Sequence, residues 1–524
     1  MKDILTLDCT LRDGGYCNEW NFKDNNIRRI ISGVKSSGVE IVECGFLTNR
    51  IEYCRDKTKY TDLKQLESVL PPRNGETKYV VMMNYGEYDI DSLPKCEDTC
   101  IDGIRIAFHK SDRYQALELC EKVVAKGYLL FIQPMVSMLY TDEEFIEFIK
   151  QANSIQPYAF YIVDSFGMMD KRDLAHYFYL AETTLSKDII IGFHSHNNLQ
   201  SAFSNAQSLI ERESERTCII DGSVYGMGRG AGNLNLELLL NELNKHLLKN
   251  YYIKPILQIM DEIINRFYEE KPWGYSLPNY LSAVYMIHPN YAGYLSEKKT
   301  LSIDDIDEIF SMMKRERACE YNEKYVDSLY VQYMSAGVAR EAHLREIKRS
   351  VKGRKILLVA PGRTILAEKE IVLDFIEKNS PIVISINHEC PIYSADYIFV
   401  SNIRRFKNLN EKLYGKTIST TNIKSLKTYV SIDYFKLLND VEAVRDNAGL
   451  MAIKFVKDDL CVDQVYLAGL DGYSHEVLKN FETEEMALIA SFEFLDKIND
   501  GMRKIIEEYK KHITIKSITT SKLI

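Results

Sequence analysis

The chain has 524 residues, 46% hydrophobic and 27% charged, a length beyond one ordinary core that predicts two or three domains. A formal net charge of -9 argues against a nucleic-acid partner, and no apolar run approaches the roughly 20 residues that span a bilayer, so no membrane partner is expected. Its 11 cysteines have no framework spacing and no leader-like segment precedes the first strand pattern, which together predict a cytoplasmic setting.

From residue 1 to about residue 250, short β-branched runs alternate with helical patterns. Candidate strands cover 4–11, 41–46, 79–84, 103–108, 128–134, 159–165, 189–196 and 218–225, and amphipathic stretches lie at 25–37, 113–126, 143–152, 170–185 and 199–211. Continuously apolar strands, mostly followed by helices, predict an α/β domain of the parallel (β/α)8 TIM-barrel type over residues 1–250. The competing open sheet lacks a Gly-x-Gly-x-x-Gly after its first strand.

Residues 251–350 read as a helical extension and linker, rich in tyrosine and charge. Residues 351–524 read as a second, smaller α/β domain, with strands at 356–360, 382–386, 397–400 and 465–468. The threonine-rich, basic end after Lys510 is expected to fray. Pro361-Gly362-Arg363-Thr364 joins a strand to a helix, a turn that suits a phosphate or nucleotide; a structural or partner-docking domain is the other reading.

The chemistry-bearing residues gather at predicted strand ends. Arg12-Asp13 closes the first strand, and His194-Ser195-His196 closes the seventh. Residues i and i+2 of a strand share a face, so His194 and His196 can converge on one ion, with Asp13 contributed from another strand of the same barrel end. Imidazole and carboxylate donors suit Mn2+, Mg2+ or Zn2+, and equally a non-haem Fe(II). Histidines that hold loops by hydrogen bonds are the alternative. The loop Gly226-Met227-Gly228-Arg229-Gly230-Ala231-Gly232-Asn233 either lets backbone approach a ligand or closes the barrel tightly. Asn233 could cap a helix expected to start near it.

Taken together, Thr10-Leu11-Arg12-Asp13-Gly14, Glu43, Gly192-Phe193-His194-Ser195-His196-Asn197-Asn198 and Gly228-Arg229-Gly230-Ala231-Gly232-Asn233 resemble the signature of the DRE-TIM metallolyases, over roughly residues 1–315. That superfamily includes 4-hydroxy-2-oxovalerate aldolase, hydroxymethylglutaryl-CoA lyase, and the isopropylmalate and homocitrate synthases. The resemblance implies a divalent metal, Mn2+ or Mg2+ with Zn2+ as a further option, on Asp13, His194 and His196. It makes Asn233 a fourth ligand or a close neighbour. It also implies that Arg12 steadies an enolate oxygen, with Glu43 acting through Arg12.

Within the superfamily the aldolase branch is nearest, by Asp164-Ser165 and Gly230-Ala231-Gly232-Asn233. The loop 225–233 lacks the cysteine of the lyases, and Gly15-Tyr16 stands where the synthases carry Glu-Gln. Aldolases place a basic histidine where this chain has Tyr16, so Tyr16 or a water on the metal is expected to move the proton. The implied substrates are a 2-oxo acid and an aldehyde, the implied partner an aldehyde dehydrogenase, and a homo-oligomer is expected. An acyl-CoA-dependent Claisen synthase and a catalytically lapsed scaffold are the competing readings. Arg105 would meet a substrate carboxylate or form a structural salt bridge. Asp164 and Ser165 would line the site. Tyr291, beside His288, would reach in to protonate an enolate or pack the helical region.

Overall fold

The barrel strands form where short aliphatic runs can be buried on both faces, and the helices form where apolar residues recur along one side only. The computed structural model describes residues 3–71, 75–298, 301–340, 342–483, 486, 488 and 490–524. They form two compact units, one of residues 1–297 with 313–321, the other of 298–312 with 322–524.

In the first unit β1 (Ile4–Asp8), β2 (Ile41–Leu47), β3 (Lys78–Asn84) and β4 (Gly103–Phe108) are followed by β5 (Leu129–Pro134), β6 (Ala159–Asp164), β7 (Ile190–Ser195) and β8 (Cys218–Gly222). All pair in parallel in sequence order, and β1 pairs with both β2 and β8, which closes the barrel. A two-residue strand, Lys59–Tyr60, adds to β2. Ile31, Val42, Ile106, Phe148 and Leu240 belong to the apolar core, while Leu7, Ile41, Val80, Phe131 and Ile219 form a smaller separate cluster. The two-residue period then decides what lies above that second cluster. Glu43 follows Ile41 by two and Asp221 follows Ile219 by two, so charged groups share the face of these apolar ones, one layer nearer the carboxyl end.

Three local departures shape that end. The first strand stops at Asp8 rather than residue 11, and residues 10–13 make a helical turn with the Asp13 amide on the Cys9 carbonyl at 2.9 Å. The turn, not a strand terminus, therefore carries Arg12 and Asp13. β7 ends at Ser195, and His196 forms an isolated bridge with Asn233. The helix expected near residue 233 begins at Leu236, so Asn233 is not its cap.

The second unit holds seven parallel strands: β9 (Ile356–Val359), β10 (Ile382–Ile386), β11 (Tyr397–Val400), β12 (Thr417–Thr420), β13 (Val430–Ile432), β14 (Gln464–Ala468) and β15 (Thr514–Ser517). Their order is β13-β12-β11-β10-β9-β14-β15, an open α/β sheet built outward from β9 in both directions. The terminal stretch expected to fray is instead the edge strand β15, with Ile515 buried opposite Val465 and Lys516 exposed. Among the described residues no helix is long and apolar enough to cross a membrane.

Candidate metal centre

Asp13, His194 and His196 are all buried, and each offers a ligand atom within 4.8 Å of the others. The structure thus brings together the three residues that the sequence placed on separate segments. His194 reaches Asp221 Oδ2 through Nδ1 at 3.0 Å, and His196 reaches the Arg229 carbonyl through Nδ1 at 3.2 Å. With Nδ1–H donating in each ring, both Nε2 atoms keep their lone pairs for a cation. Burial pushes the His196 imidazole down to about 3, so it is neutral at physiological pH, as a ligand must be. Burial alone would raise Asp13, but Arg12, His196 and His194 outweigh it and hold the carboxyl well below the usual carboxylate range.

The space between these groups suits an ion. Asp13 Oδ2 and Asn233 Oδ1 are buried and meet no donor among the described residues. Asn233 Nδ2 donates to the Met227 carbonyl at 3.2 Å, which leaves its oxygen as the unmatched end. A Cβ on Gly228 would lie 2.7 Å from Asp13 Oδ2 and 2.4 Å from Asn233 Nδ2, so any larger residue would fill the cradle. Two imidazoles, one carboxylate and an amide oxygen form a donor set fit for Mn2+, Mg2+ or Zn2+.

Behind the ligands runs a chain of buried charges. Arg12 donates from Nε to Glu43 at 2.8 Å and from Nη1 to Asp13 at 2.6 Å, which fixes the guanidinium plane. Its Nη2 meets no acceptor among the described residues. Burial works against the charge of Arg12, but Glu43 and Asp13 outweigh burial and keep it protonated. Arg105 lies with Nη1 2.9 Å from Glu43 and also donates to Asp221, whose carboxylate accepts from the Tyr161 hydroxyl at 3.0 Å. Three carboxylates (Asp13, Glu43, Asp221) thus face two guanidiniums, an excess of negative charge that a divalent cation would offset.

Several expected site residues do other work. Arg105 is 0% exposed, so it meets Glu43 and Asp221 rather than a substrate carboxylate, the salt-bridge alternative. The Asp164 carboxylate accepts the amides of Met168 and Met169 at 2.9 and 3.1 Å, which holds the loop after β6 instead of facing the site. Ser165 Oγ accepts the Val136 amide at 3.0 Å and is equally committed. The Tyr291 hydroxyl donates to the Arg317 and Glu320 carbonyls at 3.0 and 2.7 Å, so it packs the helical extension and does not reach in. Tyr16 is half-buried, with its ring 5.4 Å from the Arg229 guanidinium and 4.7 Å from Trp20. Burial raises its phenol above the ordinary value, against only a partial pull from Arg229. At neutral pH Tyr16 is therefore a proton donor, not a ready base.

Two groups escaped the sequence reading. Asp221 orients His194 and neutralises Arg105; its signal was a lone carboxylate in the strand Cys218–Gly222, where a buried charge demands a partner. Arg229, hidden among the glycines, donates to the Ser165 carbonyl at 3.2 Å and lies 3.1 Å from His288 Nε2. Its Nε is buried and meets no acceptor among the described residues. Burial holds His288 well below the usual imidazole value, so that ring is neutral beside the guanidinium.

Residues 3–261 match the HMGL-like family. A protein named oxaloacetate decarboxylase, from Mycobacterium tuberculosis, is 26% identical over 248 residues, 47% of this chain and 71% of its own. A 4-hydroxy-2-oxovalerate aldolase from Shewanella halifaxensis is 26% identical over 275 residues, 50% of this chain and 77% of its own. Among solved structures, the HMG-CoA lyase from Brucella melitensis aligns over 52% of this chain and 99% of its own, at 12% identity and a TM-score of 0.40.

Proposed function

We propose that this barrel, which belongs to the HMGL-like branch of the DRE-TIM metallolyases, makes or breaks a carbon–carbon bond beside the carbonyl of a 2-oxo acid, in the manner of an aldolase. The observation that carries the reading is the unmatched Arg12 Nη2, held beside the Asp13–His194–His196 cluster by Glu43 and Asp13. Such a bond is cleaved or formed through an enolate, whose oxygen needs preorganised positive charge in a site sheltered from water. A divalent cation on Asp13, His194 and His196, with Mn2+ or Mg2+ the best match to the donors, would polarise the substrate carbonyl.

The protein's own groups do the rest. Arg12, fixed on two sides, presents its remaining N–H to the developing oxyanion without having to reorganise. Arg229 takes the role first assigned to Arg105, offering its half-buried guanidinium to the substrate carboxylate. Tyr16, a protonated phenol beside Arg229, delivers the proton that quenches the enolate. The two relatives' names fit this reading by chemistry: decarboxylating oxaloacetate and splitting 4-hydroxy-2-oxovalerate both leave the enolate of pyruvate.

The test is exchange of the C3 protons of pyruvate in deuterated water, with and without Mn2+, in the absence of CoA. Cation-dependent exchange is expected, with Asp13→Asn losing about a thousandfold or more, since it removes a ligand and a partner of Arg12 together. No exchange with pyruvate or 2-oxobutyrate under any divalent cation would overturn the reading, and exchange that appears only with an acyl-CoA would favour a Claisen synthase.

A further inference from the structure

The second unit gathers a histidine, a cysteine and a carboxylate at the carboxyl end of its sheet. His388, Cys390 and Glu482 each offer one ligand atom, and these atoms all lie within 4.8 Å of one another. His388 is 5% and Cys390 3% exposed, and the Glu482 side chain is 7% exposed.

Two local devices bring them together. The apolar run of β10 ends at Ile386, and Asn387, with φ of 62°, takes a left-handed turn that asparagine tolerates. His388 is thereby folded back on the strand, with Nδ1 2.9 Å from the Ile386 carbonyl and its own carbonyl accepting the Ser385 hydroxyl at 2.8 Å. Glu482 comes from a distant segment. Phe481 bridges to Gly362 in the turn after β9, and the Glu482 amide donates to the Pro361 carbonyl at 2.9 Å. The sheet grows from β9 toward β10 on one side and toward β14 on the other, so the cluster stands at a topological switch point, where open parallel sheets take ligands. Asn387 and Phe481, the sequence neighbours of His388 and Glu482, also line a cavity of about 420 Å³.

The hydrogen bonds decide which atoms remain for a ligand. A carbonyl only accepts, so the contact with Ile386 places the His388 proton on Nδ1 and leaves the lone pair on Nε2. That nitrogen lies 3.4 Å from Glu482 Oε1, two electron-rich atoms face to face, which a cation between them makes favourable. The Tyr393 hydroxyl is as far away, at 3.5 Å, and has Ser385 Oγ at 3.0 Å. The same geometry does not suit a Cys–His–Glu nucleophilic triad. A triad uses one ring nitrogen for the cysteine and the other for the carboxylate, whereas here Nδ1 faces backbone and Glu482 stands at Nε2.

We propose that His388 Nε2, Cys390 Sγ and the Glu482 carboxylate bind one Zn2+ in the second unit, with a fourth position open to water or a small ligand. The thiolate decides the ion: it favours Zn2+ over the harder Mg2+ and Mn2+, which suit the donors in the barrel. This site is independent of the barrel chemistry.

Titration of the metal-stripped full chain with Co2+, a spectroscopic substitute for Zn2+, tests it. A thiolate-to-cobalt absorption band in the near ultraviolet is expected, and Zn2+ should bleach it while Mg2+ should not. Cys390→Ser is expected to abolish the band, to take up one Zn2+ fewer per chain than the natural protein, and to leave pyruvate exchange unchanged. Glu482→Gln is expected to keep the band and to weaken Zn2+ at this site by about tenfold or more, which covers the case that the cysteine variant misfolds by circular dichroism. Absence of the band, a band that survives Cys390→Ser, or Zn2+ binding indifferent to both variants would each overturn the proposal.

Discussion

Both units collect polar groups at the carboxyl ends of parallel strands, yet they do so under opposite constraints. The barrel closes on itself, so Glu43, Arg105 and Asp221, at 0–1% exposure, have no water to turn to and must satisfy one another. The open sheet leaves a crevice, and Arg404 beside it remains exposed. Closure fixes orientation, because each buried charge is held by a neighbour that it also holds. Openness leaves room beside the strand ends that the closed barrel does not have. Catalysis that depends on placing a few atoms suits the first arrangement, and binding a whole small molecule suits the second.

The contrast is broken most severely by Asp221→Asn. It removes half of the charge around Arg105 and the orienting acceptor of His194, so a loss of about 3–5 kcal/mol in denaturant unfolding is expected, with metal affinity weaker by about 10- to 100-fold. Arg404→Gln, exposed in the open sheet, should change unfolding by only about 0.5 kcal/mol. Equal destabilisation by the two would show that the units do not differ in the way described.

A smaller effect separates the barrel's proton donor from its charge network. Tyr16→Phe keeps the ring against Trp20 and Arg229 and removes only the hydroxyl. Exchange of pyruvate protons should fall by about 10- to 100-fold, while Mn2+ affinity stays within about twofold. Loss of metal affinity in this variant would make Tyr16 part of the cation site rather than a donor.

The smallest predicted effect concerns pH. Burial raises the Asp164 carboxyl from 3.8 to about 7, so between those values the folded chain holds a proton that the unfolded chain has released. Stability from this group is therefore full below about pH 4 and is lost as pH rises toward 7. The melting temperature of the natural chain minus that of Asp164→Asn should fall between pH 5 and pH 8. A difference independent of pH would show that Asp164 titrates at an ordinary value.

Much of this was legible before the structure, for physical reasons particular to each residue. The barrel strands announced themselves because burial on both faces leaves continuous apolar runs. In the second sheet, Thr417–Thr420 escaped notice because its buried hydroxyls look polar in sequence. They are satisfied locally, Thr417 on the Leu413 carbonyl and Ser419 on that of Val430. Asp13, His194 and His196 were readable from strand ends and two-residue spacing, although Asp13 proved to sit on a turn whose helical course no periodicity reveals. Arg105 was recognisable as important but not in its role, since a sequence does not say that two carboxylates wait at 0–1% exposure beside it. Tyr291 looked like a donor near the site, yet only the direction of its hydroxyl, toward Arg317 and Glu320, decides the matter.

The most direct test of the barrel's account is a titration of the purified, metal-stripped chain with Mn2+, read by paramagnetic resonance, beside the variant Gly228→Ala. The account predicts one tight cation per natural chain, and at least tenfold weaker binding in the variant, whose added Cβ would sit 2.7 Å from Asp13 Oδ2. A natural chain that takes up no Mn2+, Mg2+ or Zn2+, or a Gly228→Ala variant that binds as tightly as the natural chain, would contradict it.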